Sequence, residues 1–364
     1  MNLHRKIRVL VVDDSAVARE LISKGLSGFP DLEVAATASD AWAARDKIVL
    51  LKPDVMTLDI EMPKMDGIEF LAKLLPQYPL PVIIVSGVTP RGSERALAAL
   101  KAGAMDIVAK PSGRDTEGLS HMLAQLAERI REASRADMTK IAKRKTVEPR
   151  PVYGPAAVSG EGRLIAIGAS TGGTNVLNQI IPQFPPDMPP VVVVQHMPPV
   201  FTRMFAETLD KASSVRVREA KDGDVAERGV VLIAPGDFHL RVAKRGDRWQ
   251  VTCSGGDKIS GHRPSVDALF DSVAEAAGEK GTGLLLTGMG ADGANGLLHM
   301  RQRGARCFAQ SEESSVVFGM PGEAWKRGAA ERLLDIEEMT ATLLGIQHKP
   351  STETGRSAVS QPTR

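Results

Sequence analysis

The feature that most constrains this chain is an alternation of short, β-branched apolar runs with longer amphipathic stretches, which starts at Ile7 and restarts at Leu164. Strands that read as near-continuous apolar runs are covered on both faces, and helices between them make the sheet parallel. In the first half the runs are Ile7–Val12, Leu32–Ala36, Asp54–Leu58, Val82–Val85 and Asp106–Ala109, with a closing helical pattern over Thr116–Ala133. That series predicts an α/β, flavodoxin-like domain built on a five-stranded parallel sheet.

In the second half the runs are Leu164–Ile167, Val191–Val194, Val215–Val217, Val230–Ala234, Leu284–Leu286 and Arg306–Ala309. His239–Ala243 and Trp249–Cys253 flank a Gly-Asp pair, the signature of a two-residue hairpin turn. The expectation is a doubly wound, mostly parallel α/β domain carrying an antiparallel hairpin. Between the halves, Arg129–Arg150 is rich in Arg and Lys and is followed by a run rich in Pro, Gly and Ala, which reads as a linker. The Ser-, Thr- and Gly-rich end of the chain reads as a disordered tail.

Composition removes several function classes. A formal charge of +2 gives no basic face for nucleic acid. Two cysteines, Cys253 and Cys307, are too few and too far apart for a disulfide framework or a structural zinc site. The first residues lack a signal-peptide pattern, and no apolar run approaches the roughly 20 residues that span a bilayer. The expectation is a cytoplasmic protein with no nucleic-acid partner and no direct membrane insertion.

Two places carry chemistry. Asp13 and Asp14 end the first strand, Asp59 the third, Ser86 the fourth and Lys110 the fifth. Strand C-termini of a doubly wound sheet gather at one edge. Three carboxylates there need a hard cation such as magnesium, and a carboxylate neutralised by metal and lysine accepts a phosphoryl group. The competing reading of a single Asp after a strand is a helix N-cap. In the second half, Gly168-Ala169-Ser170-Thr171-Gly172 follows a strand and precedes a helix, which is the context of a nucleophilic serine. A nucleotide-binding turn is disfavoured because the glycine spacing and the P-loop lysine are missing. His196 ends the next strand and is the candidate base, while Asp292, in the Gly-rich run after Leu284–Leu286, is the candidate carboxylate. Asp222, Asp224 and Asp237 are less constrained, and spacing alone leaves open an order that ends in a histidine such as His299. His239 reads as surface packing in the hairpin.

The motifs VVDDS, LDIEMPKMDG, VSG and AKP resemble the response-regulator receiver domain. The resemblance implies Asp59 as phosphoacceptor, Asp13, Asp14 and Asp59 as magnesium ligands, Ser86 and Lys110 as phosphoryl contacts, and a cis Lys110-Pro111 bond. Ile107 stands where many receivers carry an aromatic switch residue. IGASTGG, VVVVQHMP, APGDFHL, GHRPSVDALF and LLTGMGADGANG are similar to the catalytic domain of the chemotaxis protein-glutamate methylesterase (CheB) family. That similarity implies a Ser170–His196–Asp292 triad, a backbone N–H of Met289 at the oxyanion, and Thr171 and His262 in the cleft. It implies hydrolysis of glutamate methyl esters, and deamidation of glutamine, on chemoreceptor cytoplasmic domains. A histidine kinase is the implied phosphodonor, the unphosphorylated receiver the implied block on the cleft, and no cofactor is implied for hydrolysis. The expected organisation is a receiver over 5–125, a linker over 126–160, a methylesterase domain over 161–347 and a tail over 348–364. A DNA-binding response regulator would need a helix-turn-helix in place of the second α/β unit. An idle adaptor would not need all three triad residues.

Overall fold

The computed structural model describes residues 5–87, 89–111, 116–136, 138 and 162–345, so most of the expected linker and the tail from 346 lie outside the described residues. The first sheet has the order β2-β1-β3-β4-β5, where β1 is Ile7–Val12, β2 Leu32–Ala38, β3 Val55–Leu58, β4 Val82–Gly87 and β5 Asp106–Lys110. Every pairing in it is parallel, as the buried β-branched runs require. Helices α1 (Ala16–Ser27) through α5 (Thr116–Ala133) cover the faces, among them α4 (Pro90–Lys101). Local chemistry sets their starts. Ser15 caps α1 by accepting from the Ala18 N–H, and Thr89 caps α4 with Pro90 at its first position.

The second module has a seven-stranded sheet, all of it parallel, in the order β15-β14-β13-β6-β7-β10-β8. Its centre is β13 (Gly281–Leu285), β6 (Leu164–Ala169) and β7 (Val191–Gln195), three neighbours whose C-terminal ends point the same way. Toward one edge lie β10 (Val230–Ile233) and β8 (Arg216–Glu219), toward the other β14 (Arg306–Gln310) and β15 (Arg332–Leu334). The expected hairpin, β11 (His239–Arg245) and β12 (Arg248–Ser254), turns at Gly246-Asp247, with Gly246 at φ 59°. It pairs further with β9 (Val225–Ala226), a two-residue strand too short to leave a sequence pattern.

The modules pack face to face. Helix α4 lies against α6 (Gly173–Ile180) and α7 (Phe201–Ala212), and one apolar cluster holds Leu97 and Leu100 together with Met197, Met204 and Phe205. A second cluster joins Met122 and Leu126 of α5 to Val316 and Val317, with Met289 packed on it. Burying side chains of this size stabilises by about 1.5–3 kcal/mol each at most. Helix α5 runs to Ala133 as its pattern predicts, and Arg129 and Glu132, helical residues at the start of the expected linker, lie at the module interface. Two expectations are corrected. Lys110-Pro111 is not cis; among the described residues the cis bond is Arg263-Pro264. His239 is buried rather than at the surface, because its ring accepts from the Ser265 N–H and its Nε2 bonds the Asp257 carbonyl. No described helix is long and apolar enough to cross a membrane.

Candidate active site

The acidic edge of the first sheet forms as the strand ends predict. One ligand oxygen from each of Asp13, Asp14 and Asp59 lies within 4.8 Å of the others. An all-carboxylate oxygen set of this size suits a hard divalent cation such as magnesium. Lys110 Nζ reaches both Asp13 Oδ2 and Asp59 Oδ2 at 2.8 Å. Those two bonds lift the lysine above its ordinary pKa although its burial works the other way. Burial raises Asp13, against the pull of Lys110. Asp59 also accepts from its neighbour Ile60 N–H at 2.7 Å. Neither Asp13 nor Asp14 caps α1, a role filled by Ser15, so the bland reading of the pair as helix caps does not apply. The buried Ser86 hydroxyl donates to the Gly92 carbonyl at 3.5 Å, and Ile107 is buried in the first apolar cluster.

At the second edge, Ser170, His196 and Asp292 are brought together. Ser170 follows β6 directly and His196 follows β7 directly; Asp292 lies in the turn after β13. The turn at Ser170 closes at Gly172, which is left-handed with φ 78° and starts α6. A Cβ there would lie 2.8 Å from Val316 Cγ2, so this position needs glycine twice over. His196 Nδ1 is 3.1 Å from Ser170 Oγ, and His196 Nε2 is 2.8 Å from Asp292 Oδ2. The ring therefore faces the serine with Nδ1, which must be the unprotonated nitrogen to accept the hydroxyl proton, while Nε2–H donates to the carboxylate.

Asp292 does not cap the helix that follows it, α9 (Ala294–Gln302), whose N-cap is Gly293. Its carboxylate sits instead at the N-terminus of α8 (Val266–Ala277). It accepts from Val266 N–H at 2.8 Å, Asp267 N–H at 2.9 Å and Ser265 Oγ–H at 2.8 Å. A helix N-terminus favours negative charge, and the three donors fix both oxygens. Gln195 braces the nucleophile turn by donating to the Ser170 carbonyl at 3.0 Å. Gly288 lies against the serine: a Cβ on it would stand 2.6 Å from Ser170 Cβ, which places the Gly288-Met289 backbone beside the nucleophile. The alternatives fall away. His299 pairs with Asp271 and Glu275, Asp222 and Asp224 bond near the hairpin, and Asp237 pairs with Arg263.

Three residues the sequence did not single out complete the site, and they come from the first module. Arg129 of α5 donates to Glu132 at 2.8 Å and pairs with Asp106, the first residue of β5, at 3.2 Å. Its Nη1 also lies 3.5 Å from Ser170 Oγ. Thr171, expected in the cleft, donates its hydroxyl to Glu132 at 2.8 Å. Burial raises Asp106 to about 6 despite Arg129. Burial would raise Glu132 too, but Arg129 and the Thr171 hydroxyl hold it below its ordinary range. Burial, and then the Arg129 charge, push the His196 imidazole down to about 3. Ser170 is only 2% exposed beneath this cluster. The second expected cleft residue, His262, lies with its ring stacked on His196. Beside it a cavity of about 680 Å³ runs between the modules, from Lys110 and Glu128 to His196 and Arg263.

Comparison with known proteins identifies both modules. Residues 9–122 match the response regulator receiver domain and residues 165–343 the CheB methylesterase. The chain is 48% identical over 345 residues to a protein-glutamate methylesterase/protein-glutamine glutaminase of Syntrophotalea carbinolica, covering 94% of this chain and 98% of that one. It is 45% identical over 339 residues to the protein of the same name from Salmonella typhimurium, covering 93% and 96%. The crystal structure of the Thermotoga maritima CheB methylesterase catalytic domain superposes with a TM-score of 0.50 at 41% identity, covering 52% of this chain and 99% of that domain. An edge that brings Ser170, His196 and Asp292 together at the ends of three adjacent strands, a second edge with an acidic cluster, and near-full-length similarity lead to one assignment: the chain belongs to the CheB family of receiver-linked protein-glutamate methylesterases.

Proposed function

We propose that Ser170, His196 and Asp292 are the catalytic triad of a phosphorylation-activated methylesterase that also deamidates glutamine, acting on chemoreceptor cytoplasmic domains in chemotaxis. The observation that carries this is the unbroken line Ser170 Oγ, His196 Nδ1, His196 Nε2, Asp292 Oδ2, with both contacts at 3.1 Å or less. His196 Nδ1 takes the Ser170 proton as Oγ forms a bond to the glutamate γ-carbonyl. Asp292 holds the proton on Nε2 and stabilises the imidazolium. The Nδ1 proton then passes to the methoxy oxygen, the carbonyl–oxygen bond breaks and methanol leaves; with glutamine, ammonia leaves in its place. Water attacks the resulting Ser170 ester, gives its proton to Nδ1, and the free carboxylate departs as Oγ recovers a proton. The Met289 backbone N–H is the oxyanion donor in this reading, a contact worth about 3–4 kcal/mol. The hydrolysis uses no cofactor.

Asp59 is the phosphoacceptor, served by a chemotaxis histidine kinase, with Lys110 and Ser86 as its phosphoryl contacts. Asp13, Asp14 and Asp59 would hold magnesium, which when bound would supply charge neutralisation for phosphoryl transfer. The receiver spans 5–125, with α5 running on to Ala133, and the catalytic domain 161–347 in this reading, and the contact of Arg129 and Glu132 of α5 with Ser170 and Thr171 supports an unphosphorylated receiver that shuts the site. The deciding assay is methanol release from methylated receptor, with and without a small phosphodonor. Wild type should be stimulated and Ser170→Ala silent; unchanged release by Ser170→Ala removes the triad.

A further inference from the structure

The His262 ring lies parallel to the His196 ring, with centroids 4.0 Å apart and planes 12° from parallel. The stack is built into the backbone. His262 and Ile259 exchange both backbone hydrogen bonds, at 3.0 and 3.1 Å, across a turn whose two central residues, Ser260 (φ 51°) and Gly261 (φ 83°), are both left-handed. A left-handed serine is costly unless its surroundings hold it, and here its hydroxyl donates to Asp267 at 2.7 Å. On the other side Arg263 is clamped to Asp237 by Nε and Nη2 at 2.8 and 2.6 Å. The segment is thus tied at both ends of the histidine, and one tie, Asp267, is the residue whose N–H also holds Asp292.

We propose that His262 is a positioning residue for hydrolysis: its stacked ring fixes the plane in which His196 Nδ1 faces Ser170. The inference rests on the triad assignment above. The nitrogens of His196 are held at their tips, by Ser170 and Asp292, and the serine bond must break and reform in each half-reaction. While it is broken, one hydrogen bond alone does not stop the ring turning about its Cβ–Cγ bond. A flat neighbour at stacking distance does, because a rotated ring would drive its edge into the face of His262. The stack also covers one face of the imidazole, so the proton on Nδ1 is passed in the plane of the ring toward the substrate. His262 makes no contact with the reacting atoms in this account, and its own proton is not used.

The test is kcat and KM for methanol release from methylated receptor by the full-length protein with a phosphodonor. His262→Leu keeps the bulk and removes the flat face, and kcat should fall by about tenfold or more with KM unchanged. His262→Phe keeps the flat face and removes the nitrogens, and kcat should return to within roughly twofold of wild type. A thermal transition like that of wild type shows that each variant is folded, and His262→Ala repeats the comparison should the leucine variant melt early. A leucine or alanine variant at full kcat overturns the proposal. So does a phenylalanine variant as slow as the leucine one, since the imidazole would then be working through its nitrogens. Ser170→Ala in the same series separates the two levels. Release that survives in it removes the triad itself, whereas a silent Ser170→Ala beside a fully active His262→Leu removes only the positioning role.

Discussion

The two sheet edges of this molecule use the same kinds of group in opposite ways. At the receiver edge Asp13 and Asp59 are buried, but Asp14 is exposed and the Lys110 side chain is 26% exposed, so one carboxylate and the lysine meet water. At the catalytic edge Ser170, His196 and Asp292 are each at most 3% exposed, and the cover is supplied by the other module. An edge that takes a phosphoryl group from a small donor and binds a metal has to stay open. An edge that makes an imidazolium gains from fixed dipoles and a held carboxylate, whereas burial and the Arg129 charge oppose that cation. In the proposed reading a protein substrate cannot reach a serine that is covered, so the second edge would work only when the first module moves. The strand β5 belongs to both: its last residue, Lys110, binds Asp59, and its first, Asp106, binds Arg129 over Ser170.

That contrast can be broken from either side. The largest effect is expected from Asp292→Asn, which leaves the shape of the catalytic edge but removes the acceptor that fixes the ring tautomer. Steady-state methanol release should drop by roughly 10⁴ in kcat. Next, Asp59→Asn, or removal of magnesium by chelation, should abolish stimulation by phosphodonor and leave the basal rate in place. Full stimulation in the Asn variant would show that the open edge is not the switch. Arg129→Ala strands two buried carboxylates, Asp106 and Glu132, at the interface. Breaking a buried pair of this kind costs about 3–5 kcal/mol, so unphosphorylated methanol release should rise at least tenfold toward the stimulated rate. The smallest effect is a titration. Because burial and Arg129 hold His196 near 3, its ring ¹⁵N shifts should titrate far below the ordinary range in the unphosphorylated protein. They should move up when Asp59 is phosphorylated and the cover leaves. The sign follows from the docked value lying below the free one. The Arg129 charge in the cover is one cause of the lowered value, so docking is favoured while the ring is neutral and is opposed as falling pH protonates it. Asp106, raised to about 6, acts the opposite way between 3.8 and 6. A His196 titration that ignores Asp59 would separate the two edges.

The placement of the first edge was legible in the sequence because its residues stand at the ends of strands that carry a strong apolar signal, such as Val9–Val12 before Asp13, although the expected cis Lys110-Pro111 bond was not found. That Ser170, His196 and Asp292 would share an edge was legible for the same reason, although spacing alone left the partner order open. What stayed hidden depends on packing between distant segments. Arg129 and Glu132 sit in a helix that runs into a basic stretch, and nothing local marks them as a cover for a serine more than thirty residues on. Ser265 looks like an ordinary cap, and it is one, but its hydroxyl also holds Asp292. His239 looked exposed because hairpins often are, whereas the bond to Asp257 and the Ser265 N–H hold it inside. Strands β9 and β15 have two and three residues, below the length at which alternation can be read.

The cover over Ser170 and the serine itself are parts of one chain. A tethered ligand meets its site at an effective concentration in the millimolar range. An interface that would bind only at about 10 μM between separate molecules is then about 99% closed. Such a lid does not dilute away as the protein becomes scarce in the cell, and its setting does not depend on how many copies are made. The same arithmetic limits what phosphorylation has to do. Taking the site from about 99% closed to about 99% open requires roughly 5.5 kcal/mol of preference, a sum within reach of a few charged contacts rearranged at the far end of a five-residue strand.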